Sequence, residues 1–215
     1  MATVCMLAHH PDISGADGLK VYLNSIQYPV YVSPKIDGVR ALTSRIGVRS
    51  RDGKPVPNPS VRSLLKKLPI GIDGEIICGN SFTETSGTFR HMERIPSSLT
   101  YFVFDIVRPS WTFQQRKDEL ESIFEAGVPE GLILVPHHLC TRIEDVIHYF
   151  KKYTTMPYPY GEGICLRRAE SKYKIGRSTG AELTALKSQE LFEAVVVGTE
   201  ELIHRQSPND LIGLS

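Results

Sequence analysis

No apolar run in this chain approaches the ~20 residues that a membrane span needs. The N-terminus, Met1-Ala2-Thr3-Val4-Cys5, has no basic stretch ahead of an apolar one, so no signal peptide is expected. Cysteines are few and scattered. Cys5, Cys78, Cys140 and Cys165 form no pair of the zinc-binding kind, which points to reduced thiols in a cytoplasmic protein. Net charge is almost absent: 25 Lys and Arg against 24 Asp and Glu leave +1. That argues against a strongly basic nucleic-acid binder. The chain also lacks a glycine-rich phosphate loop, an internal repeat and a low-complexity segment. With 41% hydrophobic and 23% charged residues, its 215 residues are those of a globular protein with a real core.

The near-zero net charge hides an uneven distribution. From Lys35 to Lys67, Arg40, Arg45, Arg49, Arg51, Lys54, Arg62 and Lys66 meet only Asp37 and Asp52 in opposition. From Gln114 to His148 acids outnumber bases. The first segment can attract a polyanion locally, or it can be a solvated basic face.

Strands are expected at Val30–Pro34, Arg40–Ser44, Gly47–Ser50, Ile70–Cys78, Thr100–Val107, Leu132–Pro136, Gly163–Arg168 and Phe192–Glu200. The second half of Ile70–Cys78 should bend at Asp73-Gly74-Glu75. Helices are expected over Gly18–Ile26, over Val61–Leu68 after Asn58-Pro59-Ser60, and within Phe82–Arg94. Two further helices should open on the capping boxes Thr112/Gln115 and Thr141/Glu144 and run to about Ala126 and Lys152. Residues 1–16 read as irregular, with His9-His10-Pro11-Asp12 a turn whose histidines face solvent more readily than they hold a metal. Many strands without strict strand–helix alternation predict an α+β fold with antiparallel sheets, not a doubly wound one.

One stretch organises the rest. Ser33-Pro34-Lys35-Ile36-Asp37-Gly38 sets a lysine between a buried strand and a tight turn. The ordinary use of such a lysine is an edge charge. The chemical use is a nucleophilic amine, whose pKa of about 10.4 would have to be depressed by cations or desolvation. Glu75 in Asp73-Gly74-Glu75-Ile76 and Glu162 in Gly161-Glu162-Gly163-Ile164 also sit at glycine-flanked strand ends. Taken singly, each is best read as a surface turn. Together, carboxylates near a lysine suit a hard divalent cation such as Mg2+.

In order, Lys35-Ile36-Asp37-Gly38-Val39-Arg40, Ser50-Arg51-Asp52-Gly53, Asp73-Gly74-Glu75, Tyr101-Phe102-Val103-Phe104-Asp105, Glu162-Gly163-Ile164 and Leu186-Lys187 resemble the successive motifs of the covalent nucleotidyltransferases. The likeness is greatest to ATP-dependent DNA ligases of the small viral and phage type. It implies a ligase-type, ATP-grasp-like nucleotidyltransferase fold, with sheets flanked by helices and a nucleotide cleft between them. It implies an adenylation domain over 1–188, then a hinge and the first strand of an OB-fold domain over 189–215, the chain being the adenylation part of a longer ligase. Lys35 would attack the α-phosphate of ATP to form lysyl-AMP, and Lys187 would contact that phosphate. Ser33, Arg40 and Arg51 would line the nucleotide site, Glu75 would hold the ribose and Phe104 would stack on adenine. Glu162 and Asp37 would bind Mg2+. Arg40, Arg45, Arg49, Arg51 and Lys54 would lie on the backbone of a nicked DNA duplex, bound by a monomer. One departure stands out: the family's Lys-x-Lys is here Ala185-Leu186-Lys187, leaving Lys174 or Arg177 to supply the absent cation. The rival readings are an RNA ligase, a capping guanylyltransferase (which carries Asp where Glu162 stands) and a non-catalytic nucleotide- or DNA-binding module.

Overall fold

The computed structural model describes residues 5–15 and 17–187. In chain order the elements are β1 (Met6–Leu7), α1 (Gly18–Ser25), β2 (Val30–Pro34), β3 (Val39–Ser44), β4 (Gly47–Ser50), α2 (Pro59–Leu65), β5 (Ile72–Cys78) and α3 (Phe82–Arg90). They continue with β6 (Leu99–Ile106), α4 (Phe113–Glu125), β7 (Leu132–Leu134), β8 (His138–Cys140), α5 (Ile143–Thr154), β9 (Gly163–Arg167), β10 (Gly176–Arg177) and β11 (Thr184–Lys187).

These strands make three sheets. Five strands run in the order β4-β3-β5-β6-β7, four in the order β11-β9-β2-β8, and β1 pairs with β10. The α+β expectation holds, but the sheets are not purely antiparallel. β6 and β7 are parallel because helix α4 carries the chain back between them, and β1 and β10 are parallel as well. Helices α2, α3 and α4 bury Val61, Leu65, Phe89 and Leu120 against Ala41, Ile72, Ile76 and Val103 of the larger sheet. Helices α1 and α5 bury Leu23, Val146 and Tyr153 against Val30, Val32, Ile164 and Leu166 of the other. A third cluster, Ile36, Ile77, Phe102 and Val135, closes the space between the two sheets.

Local chemistry explains most element ends. Asn58 caps α2 by accepting from Ser60 N and Val61 N, while its amide donates to the carbonyls of Thr88 in the last turn of α3 and of His91 and Arg94 beyond it. The Thr112/Gln115 capping box opens α4 as expected. The second box is displaced by one residue: the Asp145 carboxylate, not Glu144, accepts from the backbone N–H groups of Thr141 and Arg142. Helix α2 ends at Leu65, short of Leu68. The bend in β5 is a register shift between Asp73 and Gly74.

Residues 5–10 are not irregular. Met6–Leu7 pairs with Gly176–Arg177, and His9 bridges Thr184 in parallel. A two-residue strand has no alternation to read, and its partners lie about 170 positions away. Strands β8, β10 and β11, of three, two and four residues, also escaped sequence reading because they are too short to show an alternation. The expected strand at Phe192–Glu200 lies outside the described residues. Among the described residues no helix is long and apolar enough to cross a membrane, and all four cysteines are free.

The sheets are also joined by buried charge. Asp105 of β6 is fully buried and accepts from Arg116 Nε of α4 at 2.7 Å. Arg167 of β9 brings its Nε to 3.6 Å from the other carboxylate oxygen. Arg116 has no exposed surface and also donates to the carbonyls of Trp111 and Ser171. Asp105→Leu should destabilise the protein by about 3–5 kcal/mol, because two guanidinium groups would lose their buried counter-charge. Urea unfolding at neutral pH measures this; a loss under 1 kcal/mol would show that the network is not structural.

Candidate active site

Pairing of β2 with β9 sets Ser33 opposite Cys165 and Pro34 opposite Ile164. Lys35, one residue past the strand, donates its N–H to Gly163 O at 2.9 Å. Pairing of β9 with β11 sets Lys187 opposite Gly163. Gly163 therefore sits between the two lysines. It is at φ +142°, and a Cβ there would collide with the Leu186 carbonyl, so this rung requires glycine. The result is a bridged carboxylate: Glu162 Oε2 accepts from Lys35 Nζ at 2.5 Å and Glu162 Oε1 lies 2.7 Å from Lys187 Nζ.

The second wall comes from the larger sheet. Arg40 of β3 lies opposite Glu75 of β5, and Phe102 of β6 lies opposite Glu75 from the other side. Arg40 directs its guanidinium fork at the buried Asp73, Nε to Oδ1 at 2.6 Å and Nη2 to Oδ2 at 2.5 Å, and Tyr173 donates to the same carboxylate. Its Cζ lies 4.8 Å from the centre of the Phe104 ring, with that of Arg167 at 5.7 Å. Phe104 is partly exposed and packs beside Ile36, Phe102, Tyr158 and Tyr160.

Electrostatics mark the cleft. Burial pulls the Lys35 pKa down, but Cys165, Glu162 and Glu75 outweigh it and hold the ammonium above an ordinary lysine value. The depressed pKa that the sequence reading required is thus absent in the nucleotide-free protein, because Glu162 is the nearest counter-charge. Burial opposes ionisation of Glu162, yet the two lysines win and lower its pKa. Burial pushes Glu75 up to about 7, against the pull of Arg40 and Lys35. Its Oε2 is buried without a hydrogen-bond partner. An orphaned carboxylate oxygen at a cleft wall fits a hydroxyl-bearing ligand. Asp37 is also raised, by burial and then by Glu162. Two carboxylates that disfavour each other's charge suit a cation. Among the described residues no cluster of three ligating side chains occurs, so phosphate oxygens and water would complete its shell.

The structure brings Lys35, Asp37, Glu75, Glu162 and Lys187 within electrostatic reach of one another, with Arg40 over Phe104 beside them, and Ser33 is buried. The basic residues are dispersed. Arg45, Arg51 and Lys54 are exposed on the β3–β4 hairpin and the turn after it, Arg51 beside Asp52 at 3.6 Å. Arg49 turns back to donate to Ile46 O. Arg40 is spent on Asp73 and has a side chain only 14% exposed. Of the two substitutes for the cation absent at Ala185, Arg177 donates to Ala8 O beside the cleft-edge histidines. Sequence reading missed the Asp73–Arg40 pair, whereas His10 is exposed, as expected of a turn histidine. Asp105 and Arg167 carried a usable signal, since a charge inside an apolar strand needs a buried partner.

No protein-family model and no curated protein matches the chain. Solved structures do. The crystal structure of Chlorella virus DNA ligase-adenylate superimposes with a TM-score of 0.73 at 24% identity, over 87% of this chain and 68% of that one. Mycobacterial DNA ligase D complexed with ATP matches with a TM-score of 0.60 at 20% identity, over 86% of this chain and 60% of that one. The ATP-dependent DNA ligase of bacteriophage T7 in complex with ATP matches with a TM-score of 0.57 at 15% identity, over 85% and 68%. The architecture is therefore a nucleotidyltransferase fold. It is the form of that fold found in ATP-dependent DNA ligases.

The raised Glu75 carboxyl has a measurable consequence. A folded-state pKa of about 7 against an ordinary 4.5 means that the native protein holds this proton while the unfolded chain has lost it. Wild-type stability therefore falls as pH rises from 4.5 to 7, by on the order of 2–3 kcal/mol, relative to Glu75→Gln. Denaturant titrations of both proteins should show the gap opening across that window, staying constant above it and closing below pH 4. A gap independent of pH would refute the raised carboxyl.

Proposed function

We propose that this chain is the adenylation domain of an ATP-dependent DNA ligase. The observation that carries the reading is Glu162 bridging Lys35 and Lys187 across one glycine rung, opposite the unpartnered oxygen of Glu75. ATP would lie with its base on Phe104, its ribose at Glu75 and its phosphates between the two lysines. The Chlorella virus enzyme is described as a ligase-adenylate and the T7 and mycobacterial enzymes as ATP complexes, which supports the same occupant here.

In the resting cleft the Lys35 amine is protonated and paired, so it cannot attack. For attack, Lys35 Nζ must release its proton to solvent, which requires Glu162 to leave it for another cation; the lone pair then faces the α-phosphorus. The N–P bond forms as the bond to pyrophosphate breaks, and Lys187 offsets charge on the phosphoryl oxygens. Glu162 and Asp37 would hold Mg2+, which when bound would supply positive charge against the phosphates. The lysyl-AMP then passes AMP to the 5′-phosphate of a DNA nick, whose 3′-hydroxyl displaces AMP and seals the strand. Arg45, Arg51 and Lys54, exposed on neighbouring turns, would hold the duplex backbone without reading its sequence.

Radiolabelled ATP with Mg2+ and a denaturing gel should show covalent AMP on the wild type and none on Lys35→Ala or Lys35→Arg, since a guanidinium stays charged. The labelling rate of the wild type should rise with pH through the neutral range, because the Lys35 pKa lies above its ordinary value. Phe104→Ala should weaken ATP binding by about 1–3 kcal/mol, as loss of one aromatic stacking partner does. Label on either Lys35 variant would remove Lys35 from the reaction, and label from GTP in place of ATP would favour a capping enzyme.

A further inference from the structure

Ala185 leaves a gap in the cationic lining of the cleft, and the chain has an imidazole at the same level. His9 N donates to Leu183 O and Ala185 N donates to His9 O, both at 2.9 Å. This is the bonding of a parallel ladder with His9 opposite Thr184. It is a single isolated bridge, and His10 is the next residue along the chain, at the level of Ala185. Residues opposite one another in a ladder point to the same face, and so do residues two apart. Ala185 and Lys187 share the cleft face of β11, and His10 joins it at the open edge. The surroundings of the ring agree. Burial and then the charges of Lys187, Lys35 and Arg177 lower the His10 pKa, while Glu162 raises it, so His10 feels all the charged groups of the phosphate end. Its ring is exposed and makes no hydrogen bond among the described residues.

We propose that His10 is a phosphate-contacting residue, its imidazole N–H donating to a phosphoryl oxygen of the nucleotide at the rung where Ala185 offers nothing. This deepens the proposed ATP-binding role of the cleft and rests on it. A neutral imidazole keeps one N–H donor, so the contact does not require a charged ring. It is also less costly than a second lysine. Lys35 and Lys187 already compete for one carboxylate, and a third ammonium at position 185 would have to be held against both. The neighbouring Arg177 guanidinium is anchored on Ala8 O, on the same segment as His10, so the two are positioned together.

The test uses the full chain with His10→Ala, His10→Asn (which keeps an N–H donor) and the double variant His10→Ala/Ala185→Lys. Calorimetry gives the affinity of each for two probes, inorganic triphosphate and adenosine. His10→Ala should weaken triphosphate binding about five- to tenfold, the effect of one charge-assisted hydrogen bond. Adenosine binding should stay within about twofold, because it has no phosphate. His10→Asn should recover part of the loss, and Ala185→Lys in the double variant should recover more. Unchanged triphosphate affinity in His10→Ala overturns the proposal. Equal weakening of adenosine and triphosphate overturns it too, by showing a structural role. Single-turnover labelling with ATP separates this inference from the one beneath it. A wild type that binds triphosphate through His10 but never forms covalent AMP would contradict the ligase reading while leaving His10 as a phosphate ligand.

Discussion

One buried carboxylate holds the two sheets in the relation that makes a cleft. Asp105 leaves the larger sheet through β6 and meets Arg167 from β9 of the smaller sheet, with Arg116 of α4 completing the neutralisation. Its position in an alternating strand does the rest. With Asp105 turned inward, Phe104 must turn outward, onto the cleft wall. Arg167 extends from Asp105 to the Phe104 ring, and Arg40 reaches that ring from Asp73. The aromatic surface proposed for the base is thus supported from below by charges that have no other exit. Burying ions is costly unless each is paired, and here each carboxylate meets more than one donor, which restricts the ways the sheets can pack.

The opposite wall is organised by strand register. Lys35 and Glu162 are 127 positions apart, yet the β2–β9 pairing places them in contact and the β9–β11 pairing adds Lys187. Glu162 is shared by the two ammonium groups, which leaves one net positive charge and holds Lys35 as a paired ammonium. In the proposed reaction, Lys35 would be held back as a paired ammonium until a ligand rearranged its counter-ion. Glu75 on the facing wall is stored in the other sense, its carboxyl held protonated by burial and one oxygen left without a partner.

His10 extends the same logic to the sheet edge. The N-terminal segment adds itself to β11 by backbone hydrogen bonds that ask nothing of its side chains. Its histidine is therefore free to serve the cleft. A lysine at position 185 would be inserted from within β11; an imidazole arrives from the neighbouring segment instead. The cleft keeps a donor at that level without a third ammonium facing Lys35 and Lys187.

The sequence alone determined what depends on neighbours along the chain. The strand Gly47–Ser50 ends as expected because the Arg51-Asp52-Gly53 turn follows it, whereas Val30–Pro34 ends where the chain crosses from the smaller sheet to the larger without the expected tight turn; α4 begins after Thr112 because its capping groups are three residues apart. The ordered short motifs also made the fold legible, although Glu75 and Phe104 lie within β5 and β6 and not at strand ends, and the Leu186-Lys187 motif carries no glycine. What only the tertiary structure decided depends on pairing between distant segments. The two-residue strand Met6–Leu7, the parallel β6–β7 pair and the His9–Thr184 bridge leave no periodic trace in so few residues. The protonation of Lys35 was equally invisible. A lysine's own sequence surroundings show cations that would depress its pKa, whereas the pKa follows from the nearest charge in space, and that charge is Glu162.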